Sequence, residues 1–477
     1  MGILGYSERD DDILGDRTGV PSDPQRGSGA GPWPAPLAVG PLSARLSLPG
    51  SKSLTNRELV LSALATHPSA LHRPLHSRDT SLMVEALRLL GATIDEVPGD
   101  GLFGRDWRIT PGEVLGSVSL EAGLAGTVMR FVPPVAALAL GPVSIDGDES
   151  ARRRPMRVTI QALRDLGVDV NDDGRGTLPF TIHGTGGVEG GELAIDASAS
   201  SQFVSGLLLS APRFAKGLTL RHTGERLPSQ PHIEMTIATL AGRGVTVENP
   251  EPGVWIVPPG PIAGRSFAIE PDLSNAAPFL AATLLAGGTV SIDGWPTSTT
   301  QVGAQLEHLL PRFGATVTRT GDLLTVDGGS GLRAGGTIPG VDLDLSEGGE
   351  LAPTFAALAA LADSPTRITG IGHLRGHETD RLAALVAELT AIGAHVTELD
   401  DGLAFEPVDF AALRGGVWHS YEDHRMATTG ALAGLVVDGV EVDDIATTAK
   451  TLPEFPELWA TLLGHVAPTA ETNWLSL

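Results

Sequence analysis

The chain has 477 residues, of which 42% are apolar and none is cysteine, and its formal net charge is −24. This length and apolar content predict a globular protein of about two to four domains. The charge argues against binding of nucleic acid or of an anionic membrane through a basic face, and the lack of cysteine excludes disulfides, thiolate catalysis and cysteine-ligated metals.

The first 35 residues are rich in Asp, Gly, Pro and Ser and can bury little apolar surface. Residues 1–35 are therefore predicted to be a disordered leader. No apolar run reaches the roughly 18 residues of a membrane span without a charge or a proline. The first residues also lack the basic and apolar regions of a signal peptide, so we expect a cytoplasmic protein.

From there on, six segments repeat one pattern, in which a short β-like run, a polar loop of small residues and a long apolar helical run follow one another. Equivalent residues lie about 72 to 75 positions apart, at Leu48, Leu120, Ile195, Ile269, Leu343 and Trp418. All copies but the last continue with an amphipathic helix that ends at glycine, the usual helix stop, and with more β-like runs. The sequence thus predicts an α/β protein built from six strand–helix–strand–helix–strands units.

The polar loop precedes the first helix of each unit, so its residues are expected at a helix N-terminus. Unpaired N–H groups and the helix dipole favour anions there. If several loops converge on one cleft, even this acidic chain can hold a strongly anionic ligand.

The loops of the first three units offer cations, glycines and hydroxyl groups. In "LPGSKSLTNR", Lys52 and Ser53 are expected at the N-cap, and Arg57 follows one to two turns later. The second and third units contribute Gly126, Arg154 in "ARRRPMR", the triplet Ser200, Ser201 and Gln202 in "DASASSQF", and Ser229. Helix capping, turns or solvated charges explain each stretch on its own, although the planar fork of arginine suits carboxylates and phosphates.

The loops of the last three units carry ionisable groups instead. They supply Glu350, then His373, His377, Glu378, Asp380 and Arg381 in "HLRGHETDR", then Asp423, His424 and Arg425 in "SYEDHRMA", and Lys450. Carboxylates beside histidines and arginines are typical of proton transfer, and surface ion pairing is the alternative. No HExxH-type ligand spacing occurs, so no metal site is predicted.

The strings "LPGSKSLTNR", "AGTVMR", "RRRPM", "ASSQF", "HETDR", "DHRMA" and "KTLPEFP" occur in this order. Together they resemble the 5-enolpyruvylshikimate-3-phosphate synthase family, of actinobacterial type, across about residues 36–460. The resemblance implies a two-domain enolpyruvyl transferase fold, with three βαβαββ repeats per domain about a pseudo-threefold axis, an inside-out α/β barrel. One domain would hold residues 51–267. The other would hold residues 36–50, whose strand completes it, and residues 268–477.

The resemblance also implies site residues. Those matching shikimate-3-phosphate-binding positions are Lys52, Ser53, Arg57, Ser200, Ser201, Ser229, Glu350 and His377. Those matching phosphoenolpyruvate-binding positions are Lys52, Gly126, Arg154, Gln202, Arg381, His424, Arg425 and Lys450. Catalytic roles fall to Lys52, to Glu350 facing the attacking hydroxyl, and to Glu378 as proton donor. Departures from the common pattern are Leu124, His232, His373 and His377.

The implied reaction transfers the enolpyruvyl group of phosphoenolpyruvate to the 5-hydroxyl of shikimate-3-phosphate by addition and elimination. The reaction needs no cofactor, and its only implied partners are these two small molecules. The resemblance also implies that the chain is a monomer and is sensitive to glyphosate. Two alternatives stay open: an enolpyruvyl transferase acting on UDP-N-acetylglucosamine, and a noncatalytic anion-binding protein of the same fold. The absence of cysteine, a common acid of the former family, and the joint presence of Glu350, Glu378, Lys52 and Lys450 favour the synthase.

Overall fold

The structure, a computed structural model, describes residues 31–465. Most of the predicted leader, residues 1–30, lies outside the described residues. Its last part contradicts the prediction, because Trp33–Pro34 forms a strand that pairs with Glu441 and Val442. The physical reason is burial, since Trp33 and Ala35 both pack against the hydrophobic core.

The chain alternates short strands and helices throughout. The strands are β1 Trp33–Pro34, β2 Leu42–Leu46, β3 Ser69–His72, β4 Thr93–Val97, β5 Asp106–Thr110, β6 Val118–Glu121, β7 Leu140–Asp146, β8 Asp169–Asn171, β9 Phe180–Thr185, β10 Gly191–Ile195, β11 Leu218–His222, β12 Glu248–Glu251, β13 Val254–Val257, β14 Ser266–Ala268, β15 Gly288–Ile292, β16 Thr316–Thr320, β17 Leu323–Asp327, β18 Asp342–Asp344, β19 Thr366–Thr369, β20 His395–Leu399, β21 Gly402–Glu406, β22 Gly416–Trp418 and β23 Val440–Val442. The α-helices are α1 Lys52–Ala63, α2 Arg78–Leu89, α3 Gly126–Ala136, α4 Glu149–Arg152, α5 Arg157–Asp165, α6 Gln202–Ser210, α7 Gln230–Ala241, α8 Leu273–Ala286, α9 Leu306–Leu309, α10 Ala352–Ala359, α11 Arg381–Ala391, α12 His424–Gly434 and α13 Phe455–Leu462. The 3-10 helices are Ala211–Arg213, Val302–Gln305, Leu310–Phe313, Leu332–Ala334, Gly349–Leu351, Gly372–Gly376, Phe410–Ala412 and Ile445–Lys450.

Within residues 31–465 the strands form five four-stranded sheets and one three-stranded sheet, which is ordered β1-β23-β22. Three of the larger sheets use strands of a single unit, in the orders β6-β7-β9-β8, β10-β11-β13-β12 and β18-β19-β21-β20. The other two exchange their first strands, giving β14-β3-β5-β4 and β2-β15-β17-β16. In every four-stranded sheet the first pair is parallel and the next two are antiparallel, for example β6·β7, then β7·β9 and β9·β8.

The exchange makes the chain cross twice between two halves, and the crossing segments bond to each other. Ser51 N donates to Glu270 O at 2.8 Å, and Asp272 N donates to Pro49 O at 2.9 Å. Gly50 lies at this crossing, where a Cβ would come within 2.5 Å of Arg73 O. Only glycine allows the backbones to approach this closely.

The first helices of the units are largely buried. All residues of α3 and of α8 are buried, as expected for helices that are apolar on every side. One large core gathers side chains between residues 59 and 262, and the other gathers those of 35–48 and 273–462. The domain boundaries at residues 51 and 268 stay a prediction. None of the helices described here is long and apolar enough to cross a membrane.

Candidate active site

A cavity of about 90 Å³ is lined by residues from both halves of the chain. Predicted site residues in its wall are Lys52, Ser53, Gln202, Glu350, His377, Glu378, Arg381, His424 and Arg425. A neighbouring cavity of about 210 Å³ shares Gln202 and His377 and adds Arg154 and Ser200. The structure therefore brings together residues that lie hundreds of positions apart in the sequence.

Helix α1 places Lys52 at the cavity wall. The N-cap is Ser51, one residue before the pair that the sequence indicated, and Lys52 is the first helical residue. Lys52 N donates to Asp272 Oδ2 at 3.1 Å, and Lys52 Nζ donates to Asp79 Oδ2 at 3.2 Å. Because Asp79 is buried while the Lys52 side chain is 19% exposed, the ammonium group is anchored on one side and open to the cavity on the other.

Arg57 is buried beneath the cavity and is not part of its wall. Its guanidinium donates to Thr236 Oγ1 at 2.8 Å and to the carbonyl oxygens of Ser53 at 2.9 Å and His232 at 2.8 Å. Burial lowers its pKa to about 9. In this arrangement Arg57 supports the start of α1 and the start of α7, and its contact with a substrate stays a prediction.

Two buried arginines converge on the N-terminus of α3, which no side chain caps. A Cβ on Gly126 would lie 3.2 Å from Gln202 Oε1, 3.4 Å from Arg154 Nη1 and 3.5 Å from Arg130 Nη1. In the described part of the chain, Nε and Nη1 of Arg154 and Nε of Arg130 are buried without a hydrogen-bond partner. Burial, with the charge of Arg154, lowers the pKa of Arg130 well below its ordinary value. Unsatisfied cationic donors at an open helix N-terminus form a site for an anion.

Glu378 lies among the cations of the C-terminal half. Its Oε1 accepts from Lys450 Nζ at 2.6 Å, and its Oε2 accepts from Arg381 Nη2 at 3.1 Å. Burial opposes ionisation, but the charges of Lys450 and Arg381 outweigh it and hold the pKa of Glu378 well below its ordinary value. Lys450 Nζ also donates to Leu124 O at 3.1 Å, which joins this cluster to the loop before α3. Glu378 is therefore a carboxylate in this arrangement.

Asp423 organises the start of α12. It accepts from Arg425 N at 2.9 Å as the N-cap, and it binds Arg381 through Nε at 2.7 Å and Nη2 at 3.2 Å. Burial opposes the charge of Arg381, but Asp423 and Glu378 outweigh it and raise the pKa of Arg381. Both ring nitrogens of His424 are buried without a partner among residues 31–465. Burial and the charge of Arg425 lower the pKa of His424, so its imidazole is neutral.

Glu350 stands on a 3-10 helix directly before α10 and bonds to both halves. Its Oε2 lies 2.6 Å from His232 Nε2, and its Oε1 accepts from Ser274 Oγ. Burial opposes ionisation, but His232, Arg425 and the Ser274 hydroxyl outweigh it and lower the pKa of Glu350. Glu350 is thus an ionised acceptor, and each of its oxygens has a second lone pair that a substrate hydroxyl can use.

Two histidines beside Arg381 are neutral, because burial and this cation both oppose their protonation. Burial, followed by the charge of Arg381, lowers the pKa of His377 well below its ordinary value and also lowers the pKa of His373. His377 Nδ1 lies 3.3 Å from Arg381 Nη1, which is consistent with an unprotonated nitrogen that accepts this bond. His377 is therefore a polar, uncharged wall of the cavity.

The predicted serines differ in position. Ser200 lines the second cavity, and its Oγ accepts from Gln202 N at 3.2 Å. Ser201 is buried as the N-cap of α6 without a side-chain capping bond. Ser229 starts α7 as expected, with a left-handed φ of 52°, and its N–H donates to Ser346 O at 3.1 Å. Ser201 and Ser229 line neither of the two cavities.

Several residues of the site were not assigned to it from the sequence. Arg130 ends the quoted "AGTVMR", and its i+4 spacing from Gly126 on α3 could have indicated it. Asp272 stands in "EPDLSN", an N-cap pattern, and it caps α8 while also accepting from Lys52 N. Asp79 contacts Lys52 only through the tertiary fold, and no local signal marks it. His232, which the sequence showed only as a departure from the family pattern, contacts Glu350 through the fold as well.

Known proteins resemble this chain over most of its length. The family model of EPSP synthase (3-phosphoshikimate 1-carboxyvinyltransferase) matches residues 37–459. The chain is 58% identical over 438 residues to the 3-phosphoshikimate 1-carboxyvinyltransferase of Kocuria rhizophila, covering 91% of this chain and 96% of that protein.

Solved structures share the fold at lower identity. The EPSP synthase from Acinetobacter baumannii is 23% identical, with a TM-score of 0.71, over 91% of this chain and 97% of that one. The enolpyruvyl transferase NikO from Streptomyces tendae is 18% identical, with a TM-score of 0.69, over 89% and 96%. These likenesses confirm the predicted two-domain enolpyruvyl transferase fold.

Proposed function

The chain belongs to the EPSP synthase family, and from that premise we propose that it transfers the enolpyruvyl group of phosphoenolpyruvate to the 5-hydroxyl of shikimate-3-phosphate. The observation that carries the proposal is the pair of buried, unsatisfied arginines, Arg130 and Arg154, at the open N-terminus of α3. A small, strongly charged anion would satisfy these donors, and phosphoenolpyruvate carries both a phosphate and a carboxylate.

Phosphoenolpyruvate would bind where the two halves meet. Arg154 and the N–H groups of α3 belong to the N-terminal half, while Lys450 and Arg381 belong to the C-terminal half. Gly126 leaves room for the ligand, because its missing Cβ would stand among Gln202, Arg154 and Arg130. Each charge-assisted hydrogen bond to such a ligand stabilises the complex by roughly 1.5 to 3 kcal/mol.

Shikimate-3-phosphate would occupy the part of the cavity nearer α1 and α6. Lys52, Ser53 and Gln202 line the wall there, and Ser200 lines the adjoining cavity. Glu350 faces the same cavity as an ionised acceptor. A hydroxyl that reaches Glu350 would be hydrogen-bonded to a base able to receive its proton.

The reaction then follows from these placements. The 5-hydroxyl oxygen attacks C2 of phosphoenolpyruvate, its proton passes to Glu350, and C3 gains a proton from Glu378. The C–O bond to phosphate then breaks as Glu378 takes a proton back from C3, which restores the double bond, and the proton held by Glu350 leaves with the phosphate. Lys450 and the arginines stabilise the departing phosphate.

Glu378 must hold a proton to act as an acid, although Lys450 and Arg381 keep it ionised in the arrangement described above. A bound phosphate dianion would offset the positive charge of Lys450 and Arg154 and compete for the Lys450 ammonium. Both effects raise the pKa of the carboxyl group. We infer that phosphoenolpyruvate binding itself prepares Glu378 as the proton donor.

A coupled phosphate-release assay tests the proposal. We expect release only when phosphoenolpyruvate and shikimate-3-phosphate are both present, and none when either is omitted. Release with UDP-N-acetylglucosamine in place of shikimate-3-phosphate would favour the alternative acceptor. No release with any acceptor, despite binding of phosphoenolpyruvate, would favour a noncatalytic anion-binding protein.

Three lesser expectations belong to the same proposal: a cytoplasmic location, a monomeric state and sensitivity to glyphosate. The oligomeric state is checked by light scattering of the purified chain, for which we expect the mass of one copy. Inhibition by glyphosate that is relieved by added phosphoenolpyruvate would support a shared site at Gly126.

A further inference from the structure

Away from the cavity, Ser266, His72 and Asp106 form a hydrogen-bonded chain across three neighbouring strands. His72 Nε2 lies 2.8 Å from Ser266 Oγ, and His72 Nδ1 lies 2.6 Å from Asp106 Oδ2. The strands β14, β3 and β5 are adjacent in one sheet. Neither cavity at the candidate active site includes any of the three residues.

The burial of the three side chains follows the order found in serine hydrolases. Asp106 is 5% exposed on its side chain, His72 is 42% exposed, and Ser266 is exposed. Asp106 Oδ1 also accepts from Arg73 N at 2.9 Å, which holds the carboxylate in place. A buried acid that orients an imidazole toward an accessible serine is the arrangement that activates a serine nucleophile.

The backbone around Ser266 supplies an oxyanion donor. β14 is an edge strand, and it bonds to β3 through Ala70 N to Arg265 O at 2.9 Å and Ile269 N to His72 O at 2.9 Å. In a parallel pair, alternate residues of a strand bond to the same neighbour, so the Ser266 N–H points to the open edge of the sheet. The N–H of the nucleophilic serine is itself an oxyanion donor in serine proteases.

We propose that Ser266, His72 and Asp106 form a second reactive site, which accepts small acyl groups from activated esters. Ser266 Oγ attacks the ester carbonyl carbon while its proton moves to His72 Nε2, and Asp106 stabilises the imidazolium. The tetrahedral intermediate collapses with release of the alcohol, which takes the proton from His72. Water then cleaves acyl-Ser266 by the same steps and restores the hydroxyl. No other reactant is needed.

A purely structural role would use simpler groups. In two other sheets, hydroxyl pairs link the second and third strands: Ser144 and Thr181 at 3.0 Å, and Ser291 and Thr325 at 2.7 Å. These pairs join strands without a histidine or a carboxylate. They also provide serines in a comparable sheet setting that lack an adjacent base, and such serines should not react.

The test treats the full chain with p-nitrophenyl acetate, follows p-nitrophenolate release and locates the acetyl group by peptide mass spectrometry. We expect acetyl-Ser266 and no acetyl-Ser144. Ser266→Ala should abolish acetylation at this position. His72→Gln and Asp106→Asn should each slow it at least about 100-fold, because the first removes the base and the second favours the wrong tautomer of its ring.

Wild-type protein alone can overturn the proposal, which removes any dependence on how well the variants fold. Acetyl groups found only on other residues, or on Ser144 as quickly as on Ser266, would contradict it. So would an unchanged rate of Ser266 acetylation in a folded His72→Gln variant. Ser144→Ala is the matched control and should leave the reaction at Ser266 unchanged.

Discussion

The N-termini of the units' first helices are capped differently in the two halves of the molecule. In the N-terminal half, α3 follows Ala125 and α6 follows Ser201, and neither N-terminus has a side-chain capping bond. In the C-terminal half, Asp272 caps α8 and Asp423 caps α12, whereas α10 has no side-chain capping bond. The repeated unit therefore leaves two of these helix N-termini open in the N-terminal half and places carboxylates on two in the C-terminal half.

This difference divides two tasks between the halves. Open helix ends attract anions, so α3 and α6 are suited to bind the substrates. The capping carboxylates also hold other groups: Asp423 binds Arg381, and Asp272 accepts from Lys52 N. In the proposed reaction the C-terminal half supplies positioned cations and the acid–base pair, although carboxylates cap two of its helix ends. Helix α1 combines both cases, because the Ser51 side chain accepts from Leu54 N and Asp272 of the opposite half accepts from Lys52 N.

The largest expected effect is on turnover, when Glu350, the proposed base in the C-terminal half, is replaced. Glu350→Gln should lower turnover at least about 100-fold while shikimate-3-phosphate still binds, since proton transfer contributes about 10²- to 10⁴-fold. Steady-state kinetics and calorimetric titration measure the two quantities. Glu347→Gln, an exposed carboxylate three positions away, is the matched control and should retain activity. Full turnover in Glu350→Gln would remove this residue from the mechanism.

The next largest effect is expected on kcat/KM, when the proposed anion site of the N-terminal half is changed. Arg154→Gln should lower kcat/KM for phosphoenolpyruvate about 10- to 100-fold, because a charge-assisted hydrogen bond contributes roughly 1.5 to 3 kcal/mol. Arg152→Gln removes a surface partner of Asp146. Because the Arg152 side chain is 51% exposed, this variant should change kcat/KM little. Equal losses in both variants would show that the buried position of Arg154 is irrelevant.

Capping itself can be compared directly. Asp272→Ala should lower the free energy of unfolding by about 1 to 2 kcal/mol, because it removes the bonds to Ser274 N and Asn275 N. Ser201→Ala breaks no capping bond and should stay within about 0.5 kcal/mol of the wild type. Urea denaturation followed by circular dichroism measures both. Similar losses would refute the contrast between open and capped helix ends.

The smallest expected effect is the pH dependence of the contribution that Glu350 makes to stability. The pKa of Glu350 lies below its ordinary value of 4.5 in the folded chain, so its ionised form stabilises the fold above that pH. As the pH falls further, the unfolded chain takes up the proton first and this contribution is lost. The difference in Tm between wild type and Glu350→Gln should therefore stay constant from about pH 7 to about pH 5 and narrow as the pH falls below about 4.5. A difference that also stays constant below that pH would mean that the Glu350 charge does not stabilise the fold.

Much of the fold could be predicted because its signals are local. Apolar periodicity and glycine stops indicated the repeated unit, and the quoted motifs indicated the family that the comparisons confirm. The prediction that the disordered leader extends to residue 35 was wrong, because the burial of Trp33 and Ala35 depends on a core formed by distant residues. The burial of Arg57 could not be predicted either, since its partners Thr236 and His232 lie on another helix.

The sequence by itself determined the α/β unit, its sixfold repetition, the acidic character of the chain and which polar residues precede its helices. Only the tertiary structure decided which of these groups are charged and which remain unsatisfied. Asp79 holds Lys52, and His232 holds Glu350. Nε of Arg130, like Nε and Nη1 of Arg154, is buried without a hydrogen-bond partner in the described chain. The physical reason is that pKa values and hydrogen-bond satisfaction depend on burial and on neighbours a few ångströms away, and folding chooses those neighbours across hundreds of residues.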